Sequence, residues 1–338
     1  MVATPIFFER NRVGRVYTGG KLFHGLFGDA PEDNFKPEEW IASNVKAINK
    51  GSTIYKEGVS RIADSDVWFD ELLEKYPDEL LGKGNTLRIL VKALDSAIRL
   101  PAQAHPDKAF SRKHFNSNYG KTECWIILDT RPDAKLFFGF RDGVDRNAFQ
   151  KAIDDSERDP DAMERLMEEI TPKVGEVYFV PARTVHAIGR GCLILEVQEP
   201  TDFTIQPERY CGEYRLSDEE MYLGLSRDTA VDCFDFVKAP DSKLPPRIIE
   251  RGEGVEAEAL VDSTNTDCFI INRIRLFGGS RTLKVDGSYA IYIVTDGEGT
   301  ISGKDYTRQI KKGDYFFMPA SLMGEFSVSG NAEIVECY

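Results

Sequence analysis

Short apolar runs dominate the hydrophobic pattern of the chain. β-branched and aromatic residues are concentrated at residues 123–128, 193–197, 290–294 and 333–335, and glycine-rich turns separate these runs. Apolar runs of this length and composition are typical of strands. The pattern therefore predicts a mainly β protein.

Helical spacing of apolar residues appears in separate segments between the strands. Ser65 can cap a helix that Pro77 interrupts, and Asp145 precedes a second helix. Ser217 and Glu220 have the spacing of a capping box, which predicts another helix start.

A further helix is expected after Asp159 and Pro160, which suit a cap and a first turn. Its apolar stripe would comprise Met163, Leu166, Met167 and Ile170. The helices are thus expected to lie outside a β core, in insertions at about residues 65–84, 145–171 and 217–230.

The chain contains an internal repeat. Residues 173–186 match residues 311–324, and both segments predict a turn, a short buried strand and a proline-ended turn. In the first copy Pro181 follows Gly175 by six positions and His186 follows Pro181 by five, a pattern shared by cupin β-barrels. The repeat predicts two jelly-roll barrels. Gly324 replaces His186 in the second copy, so that barrel is expected to carry no metal ligands.

The length of 338 residues allows two medium domains. Prolines cluster at residues 238–246 and indicate a boundary there. We therefore expect a catalytic, metal-binding cupin domain at residues 1–240, which contains the helical insertions, and a C-terminal cupin domain at residues 241–338.

Charge and composition exclude several classes of protein. The net charge is −13, so a nucleic-acid partner is not expected. The six cysteines are far apart with no C-x-x-C motif, which favours free thiols in a reducing compartment. No apolar run approaches the ~20 residues needed to cross a bilayer, so no membrane partner and a cytoplasmic location are expected.

Four metal-capable side chains lie at the edges of apolar runs, and two of them are among the four histidines of the chain. They are Gln103, His105, Glu123 and His186. An amide oxygen, two imidazoles and a carboxylate suit a borderline divalent ion, with zinc the first choice. The candidate cofactor is one Zn²⁺ per chain.

Four segments, three of which contain these residues, resemble the type I phosphomannose isomerase family, also called mannose-6-phosphate isomerase, in its short bacterial form. The segments are residues 90–107, 120–128, 174–199 and 297–337. The resemblance implies that Gln103, His105, Glu123 and His186 bind zinc. It also implies that the enzyme interconverts mannose 6-phosphate and fructose 6-phosphate through an enediol.

The resemblance further implies that Lys121 faces the substrate and that Glu38 and Glu196 line the same pocket. Alternation along residues 192–198 places Glu196 on one face of a strand, and a carboxylate there could shuttle a proton between two carbons. Glu196 is the candidate base. Lys121 and Gln206, the latter near the place of a family arginine, complete the candidate catalytic set.

Three positions depart from the family pattern. Pro101 replaces a serine implicated in holding phosphate, Gln206 lies where the family has a run ending in arginine, and Arg183 replaces a turn glycine. We hypothesise that Arg183 or Arg209 meets the substrate anion instead.

These departures leave two alternatives open: an isomerase of another or an unphosphorylated sugar, or a catalytically impaired sugar-binding paralogue. A third alternative is an iron cupin with oxygen chemistry, which metal analysis would expose. The sugar phosphate is the expected small-molecule partner, and the oligomeric state is left open.

Overall fold

The computed structural model describes residues 2–238 and 241–338. The helices are α1 (Phe23–Phe27), α2 (Phe69–Lys75), α3 (Pro77–Leu81), α4 (Lys108–Phe115), α5 (Arg146–Asp155), α6 (Asp218–Tyr222) and α7 (Arg227–Val231). Two 3-10 turns lie at Glu164–Leu166 and Ala320–Leu322.

The first twelve strands are β1 (Ile6–Phe7), β2 (Arg12–Val13), β3 (Glu38–Ile41), β4 (Leu90–Asp95), β5 (Glu123–Thr130), β6 (Leu136–Phe140), β7 (Met167–Ile170), β8 (Val177–Val180), β9 (His186–Ile188), β10 (Cys192–Gln198), β11 (Tyr210–Cys211) and β12 (Tyr214–Arg215). The remaining strands are β13 (Lys243–Leu244), β14 (Arg247–Gly252), β15 (Val255–Val261), β16 (Ile271–Thr282), β17 (Ala290–Gly303), β18 (Tyr306–Lys311), β19 (Tyr315–Met318) and β20 (Ser327–Cys337). The prediction of a mainly β protein is confirmed.

Two large antiparallel sheets organise the molecule. The first has the strand order β13-β8-β5-β10-β4-β3-β2, and a smaller sheet has the order β7-β6-β9. The second large sheet has the order β1-β19-β17-β20-β16-β15-β14, with β18 paired to β17.

Alternation along β5 divides its side chains between two cores. Trp125 and Ile127 join a core with residues of the smaller sheet and of α5. Cys124 and Ile126 join a second core, which also contains Ile291 and other residues of the second large sheet. Because successive side chains of a strand point to opposite faces, the first sheet lies between these two cores.

The repeat takes the same form in both copies. Gly175 and Gly313 have φ values of 86° and 87°, which glycine adopts without steric cost, and each lies in the turn that precedes a short buried strand. These strands are β8 and β19, and Pro181 and Pro319 directly follow them.

Two of the predicted helix starts are correct. The Asp145 side chain accepts a hydrogen bond from the Ala148 amide of α5, and Ser217 and Glu220 form the capping box of α6. Pro77 does interrupt the helical run, because it begins α3 directly after α2. Ser65 does not cap α2, however, because that helix begins at Phe69 and the Ser65 hydroxyl accepts from the nearby Val67 amide.

The prediction of a helix after Asp159 is wrong. Asp159 accepts a hydrogen bond from the Asp161 amide within a turn, and only Glu164–Leu166 is helical, as a 3-10 turn. The residues that follow form β7, in which Ile170 pairs with Leu136 of β6. Strand pairing with β6 therefore outweighs the helical spacing of the apolar residues.

The predicted boundary falls at residue 240, which lies outside the described residues, as does residue 239. On either side of it the two halves exchange strands. β1 pairs with β19 in the second large sheet, and β13 pairs with β8 in the first. The division at residues 240 and 241 remains a prediction.

No helix in the described part of the chain is both long and apolar enough to cross a membrane.

Candidate metal centre and cavity

Strand ends bring the four predicted metal ligands together. Glu123 begins β5 and His186 begins β9. Gln103 bridges to His186, with each amide donating to the other residue's carbonyl oxygen at 2.9 Å. His105 follows two residues later, where alternation returns its side chain to the face of Gln103.

Three of these residues form a tight, buried cluster. One ligand atom each from His105, Glu123 and His186 lies within 4.8 Å of the others. The two imidazole Nε2 atoms are 3.2 Å apart. His105 Nε2 is 3.2 Å from one Glu123 oxygen, and His186 Nε2 is 3.3 Å from the other. Each carboxylate oxygen of Glu123 therefore contacts one of the two imidazoles.

Backbone carbonyls orient both imidazoles. His105 Nδ1 lies 2.9 Å from the Phe203 carbonyl oxygen, and His186 Nδ1 lies 2.9 Å from that of Thr184. A carbonyl can only accept, so each Nδ1 carries the proton and each Nε2 presents its lone pair to the centre. Burial lowers the pKa of His186 to about 3, and burial with the nearby Lys121 charge lowers the pKa of His105. Both rings are therefore neutral, the form that binds metal.

Gln103 and Lys121 complete the cluster. The Gln103 side-chain amide lies 3.3 Å from His186 Nε2, and a rotation of that amide turns its oxygen toward the same centre. Lys121 Nζ lies 2.8 Å from His105 Nε2 and donates to Glu123 at 2.9 Å. The buried Glu123 carboxylate thus has a cationic neighbour, as a buried charge requires.

A cavity of about 640 Å³ opens beside this cluster. Its wall includes six residues singled out in the sequence: Glu38, Pro101, Gln103, Lys121, Glu196 and Gln206. A volume of this size is in the range of small-molecule sites. The cavity joins the candidate metal centre to the candidate base.

A network of buried charges forms one side of the cavity. Lys92 Nζ lies 3.5 Å from Glu196, 3.9 Å from Glu38 and 3.8 Å from Asp202. Arg15 pairs with Glu38 at 2.9 Å and with Asp202 at 3.0 Å. Despite its burial, Glu38 has a lowered pKa because of the charges of Arg15 and Lys92. Glu38 is therefore held as a carboxylate.

Glu196 differs from Glu38 in its electrostatics. Burial and the Glu123 charge raise the pKa of Glu196 to about 7, against the opposing charges of Lys92 and Lys121. Its contact with Lys92 is ionic, and the Glu196 Oε1 atom has no hydrogen-bond partner among the described residues. Such a carboxyl group can exchange a proton near neutral pH.

Sequence reasoning did not single out Arg15, Lys92 or Asp202. The sequence did offer a signal for Lys92, which is the single cation within the apolar run that forms β4. In the structure Lys92 is only 3% exposed. A buried lysine must have carboxylate partners, which the sequence could have been searched for.

The two arginines proposed for the substrate anion lie elsewhere. Arg183 pairs with Asp235 at 2.7 Å, and Arg209 pairs with Asp218 at 2.9 Å. The described residues that line the cavity include neither of them. Arg183 does occupy a left-handed turn, with φ of 71°. We therefore assign neither arginine a role in substrate binding.

The chain is similar to known proteins over its whole length. The family model of the mannose-6-phosphate isomerase cupin domain matches residues 263–338. Mannose-6-phosphate isomerase ManA of Bacillus subtilis is 29% identical, and the similarity covers 99% of each chain. Mannose-6-phosphate isomerase of Streptococcus mutans is 27% identical over 99% of this chain and 98% of its own. The chain is thus similar, over nearly its whole length, to proteins named mannose-6-phosphate isomerase.

A solved mannose 6-phosphate isomerase has the same architecture. The crystal structure of mannose 6-phosphate isomerase from Bacillus subtilis superposes with a TM-score of 0.80 at 25% sequence identity, and covers 99% of this chain and 100% of its own. The predicted cupin fold is confirmed.

Proposed function

We propose that the protein is a zinc-dependent isomerase that interconverts mannose 6-phosphate and fructose 6-phosphate through an enediol. The observation that carries the proposal is the cavity wall, where Glu196 shares one space with Gln103 and Lys121 of the metal cluster. The identity of the substrate, a sugar phosphate, is inferred from the similarity to mannose-6-phosphate isomerases.

The chemistry of the donors fits a divalent metal ion. His105, Glu123 and His186 offer two neutral imidazoles and a carboxylate within 4.8 Å of one another, and Gln103 can add an amide oxygen. The ion, proposed as one zinc per chain held by these four residues, would supply Lewis-acid stabilisation of negative charge on sugar oxygens.

Glu196 is the proposed base of the reaction. A carboxylate beside C1 and C2 of the sugar can take the proton from one carbon and return it to the other. Its raised pKa, which results first from burial, makes both steps accessible near neutral pH. Lys121 and Gln206 are proposed to contact sugar oxygens, because both line the cavity. Glu38, held ionised by Arg15 and Lys92, is proposed to accept hydrogen bonds from sugar hydroxyls.

A second candidate function is isomerisation of an unphosphorylated sugar. The observation that favours it is the presence of Pro101 and Gln206 on the cavity wall, since neither offers a positive charge to a phosphate. Comparing the rates with mannose and with mannose 6-phosphate separates the two functions.

The proposed function is tested by a coupled assay of fructose 6-phosphate formation on protein of measured zinc content. We expect turnover of mannose 6-phosphate in preference to mannose. Glu196→Gln should lower kcat by at least ~100-fold, the usual contribution of a general base. Glu169→Gln is a matched control, because Glu169 is exposed and pairs with Lys135. Equal kcat in the Glu196 variant and wild type would remove Glu196 from the mechanism, and absence of turnover would contradict the function.

A cytoplasmic location is part of the same proposal. All six cysteines are buried, unpaired thiols, which suits a reducing compartment.

A further inference from the structure

Lys50 differs from the other cations of the cavity wall. The described residues that line the cavity include four cations, Arg15, Lys50, Lys92 and Lys121. Lys92 and Lys121 are buried, and Arg15 is paired to two carboxylates at 3.0 Å or less. The Lys50 side chain, by contrast, is 51% exposed. It therefore lies at the mouth of the cavity.

Among the described residues, Lys50 has one carboxylate neighbour, and that contact is long. Its Nζ donates to the Ser217 hydroxyl at 3.0 Å and is 3.8 Å from Glu220 Oε2. That Glu220 oxygen already accepts hydrogen bonds from the Ser217 amide and hydroxyl, as part of the α6 capping box. The Lys50 ammonium can therefore exchange its contact with a neutral hydroxyl for a contact with an anion, without breaking a close ion pair.

The backbone beside Lys50 is fixed over the cavity. Lys50 and Gly51 form the tip of a tight turn, in which the Ser52 amide donates to the Asn49 carbonyl oxygen at 3.2 Å. Gly51 has φ of 72°, a left-handed conformation that favours glycine. The turn is anchored by the Ile48 amide, which donates to Asp202 at 2.8 Å, and by Asn49, whose side chain accepts from Arg15 at 3.0 Å. A fixed turn that carries a half-exposed lysine side chain is suited to capture of a ligand.

The charge balance of the cavity makes such a residue necessary for a phosphorylated substrate. Five carboxylates line the same wall: Glu38, Glu196, Asp202, Glu219 and Glu220. A sugar phosphate that carries about two negative charges must be compensated locally, because the net charge of the protein is −13.

We propose that Lys50 binds the phosphate group of the substrate at the cavity mouth and so determines selectivity for phosphorylated over neutral sugars. This inference rests on the proposed function. It names a residue that would bind phosphate in place of the family serine that Pro101 replaces. Lys50 contacts Ser217 and Glu220, whereas Glu196 contacts Lys92. The proposed contribution of Lys50 is therefore to binding and not to proton transfer.

The test compares Lys50→Gln and Lys50→Arg with the wild type. We expect Lys50→Gln to raise the KM for mannose 6-phosphate by roughly tenfold, the loss of one charge-assisted hydrogen bond, with kcat within twofold. The arginine variant should largely restore the KM. Lys46→Gln is the matched control, because Lys46 is an exposed lysine four residues earlier that does not line the cavity.

A binding experiment separates this inference from the proposed function. Calorimetric titration of metal-stripped protein with mannose 6-phosphate should show the same roughly tenfold weakening in Lys50→Gln and none in Lys46→Gln. Unchanged binding and KM in Lys50→Gln, or weakening in Arg183→Gln instead, overturns the role of Lys50 while isomerase activity stands. Wild-type protein that binds mannose 6-phosphate through Lys50 without isomerising it overturns the function alone. Wild-type protein that does neither overturns both.

Discussion

Glu196 is a buried carboxyl group whose environment favours its neutral form. It is 3% exposed, and burial together with the charge of Glu123 raises its pKa to about 7. In the unfolded chain its pKa is near the usual 4.5. The shift therefore links the stability of the protein to pH.

The first prediction concerns this linkage in metal-stripped protein. Between pH 4.5 and 7 the folded state keeps a proton on Glu196 that the unfolded state has lost, so this residue's contribution to stability falls as pH rises through that window. Glu196→Gln removes the penalty. The free energy of unfolding of Glu196→Gln minus that of the wild type should therefore increase by on the order of 3 kcal/mol from pH 5 to pH 8.

Denaturant unfolding of both proteins at the two pH values measures this difference. Glu169→Gln should show no comparable gain, because Glu169 is exposed. A constant difference between Glu196→Gln and wild type across the window would mean that Glu196 titrates normally.

At the level of single residues, sequence reasoning found the candidate metal site better than the groups around it. His105 and His186 could be found because histidine is rare in this chain and both follow recognisable motifs. The pairing of Lys92 with Glu38, Glu196 and Asp202 was missed, because these residues come from distant segments that only the fold brings together. Arg183 was predicted to meet the substrate because it replaces a turn glycine, but in the structure it pairs with Asp235.

Among the elements, the start of β5 controls the position of the metal cluster. Gly120 precedes Lys121 and Glu123, and a Cβ atom there would lie 2.6 Å from the Pro106 carbonyl oxygen and 2.9 Å from the Asp107 carbonyl carbon. Both are backbone atoms and cannot turn away. A side chain at this position must therefore separate β5 from the segment that carries His105.

The second prediction follows from this contact. Gly120→Ala should weaken zinc binding by at least ~10-fold, the usual effect of displacing the support of metal ligands. Competition with a chromophoric chelator measures the affinity. Gly252→Ala is the control, because a Cβ atom at Gly252 meets nothing within 4 Å. Equal zinc affinity in the two variants would contradict the proposed role of Gly120.

The elements themselves were predictable where local chemistry decides them. Asp145 and Ser217 cap helices as expected, since a cap depends on residues only three positions apart. The segment after Asp159 failed because its conformation depends on β6, a distant strand whose edge pairs with Met167–Ile170. Apolar spacing alone carries no information about such a partner.

At the scale of the whole molecule, the two halves share a core and exchange strands. One core contains Val91 and Leu195 from the first large sheet and Ile293 and Val335 from the second. β1 reaches across to β19, and β13 reaches back to β8. The sequence repeat predicts two barrels, but it gives no sign that short terminal and linker strands tie them together.

The third prediction is that the barrels unfold together. Scanning calorimetry of the metal-stripped full chain should show one transition, with equal calorimetric and van't Hoff enthalpies, because exposing one barrel also exposes the shared core. Two separated transitions would show that the halves are independent domains.

The most direct test of the central claim is a titration of metal-stripped protein with zinc, read out as the initial rate of fructose 6-phosphate formation from mannose 6-phosphate. The account predicts a negligible rate without metal and a rise that levels off at one zinc per chain. A full rate without metal would contradict it.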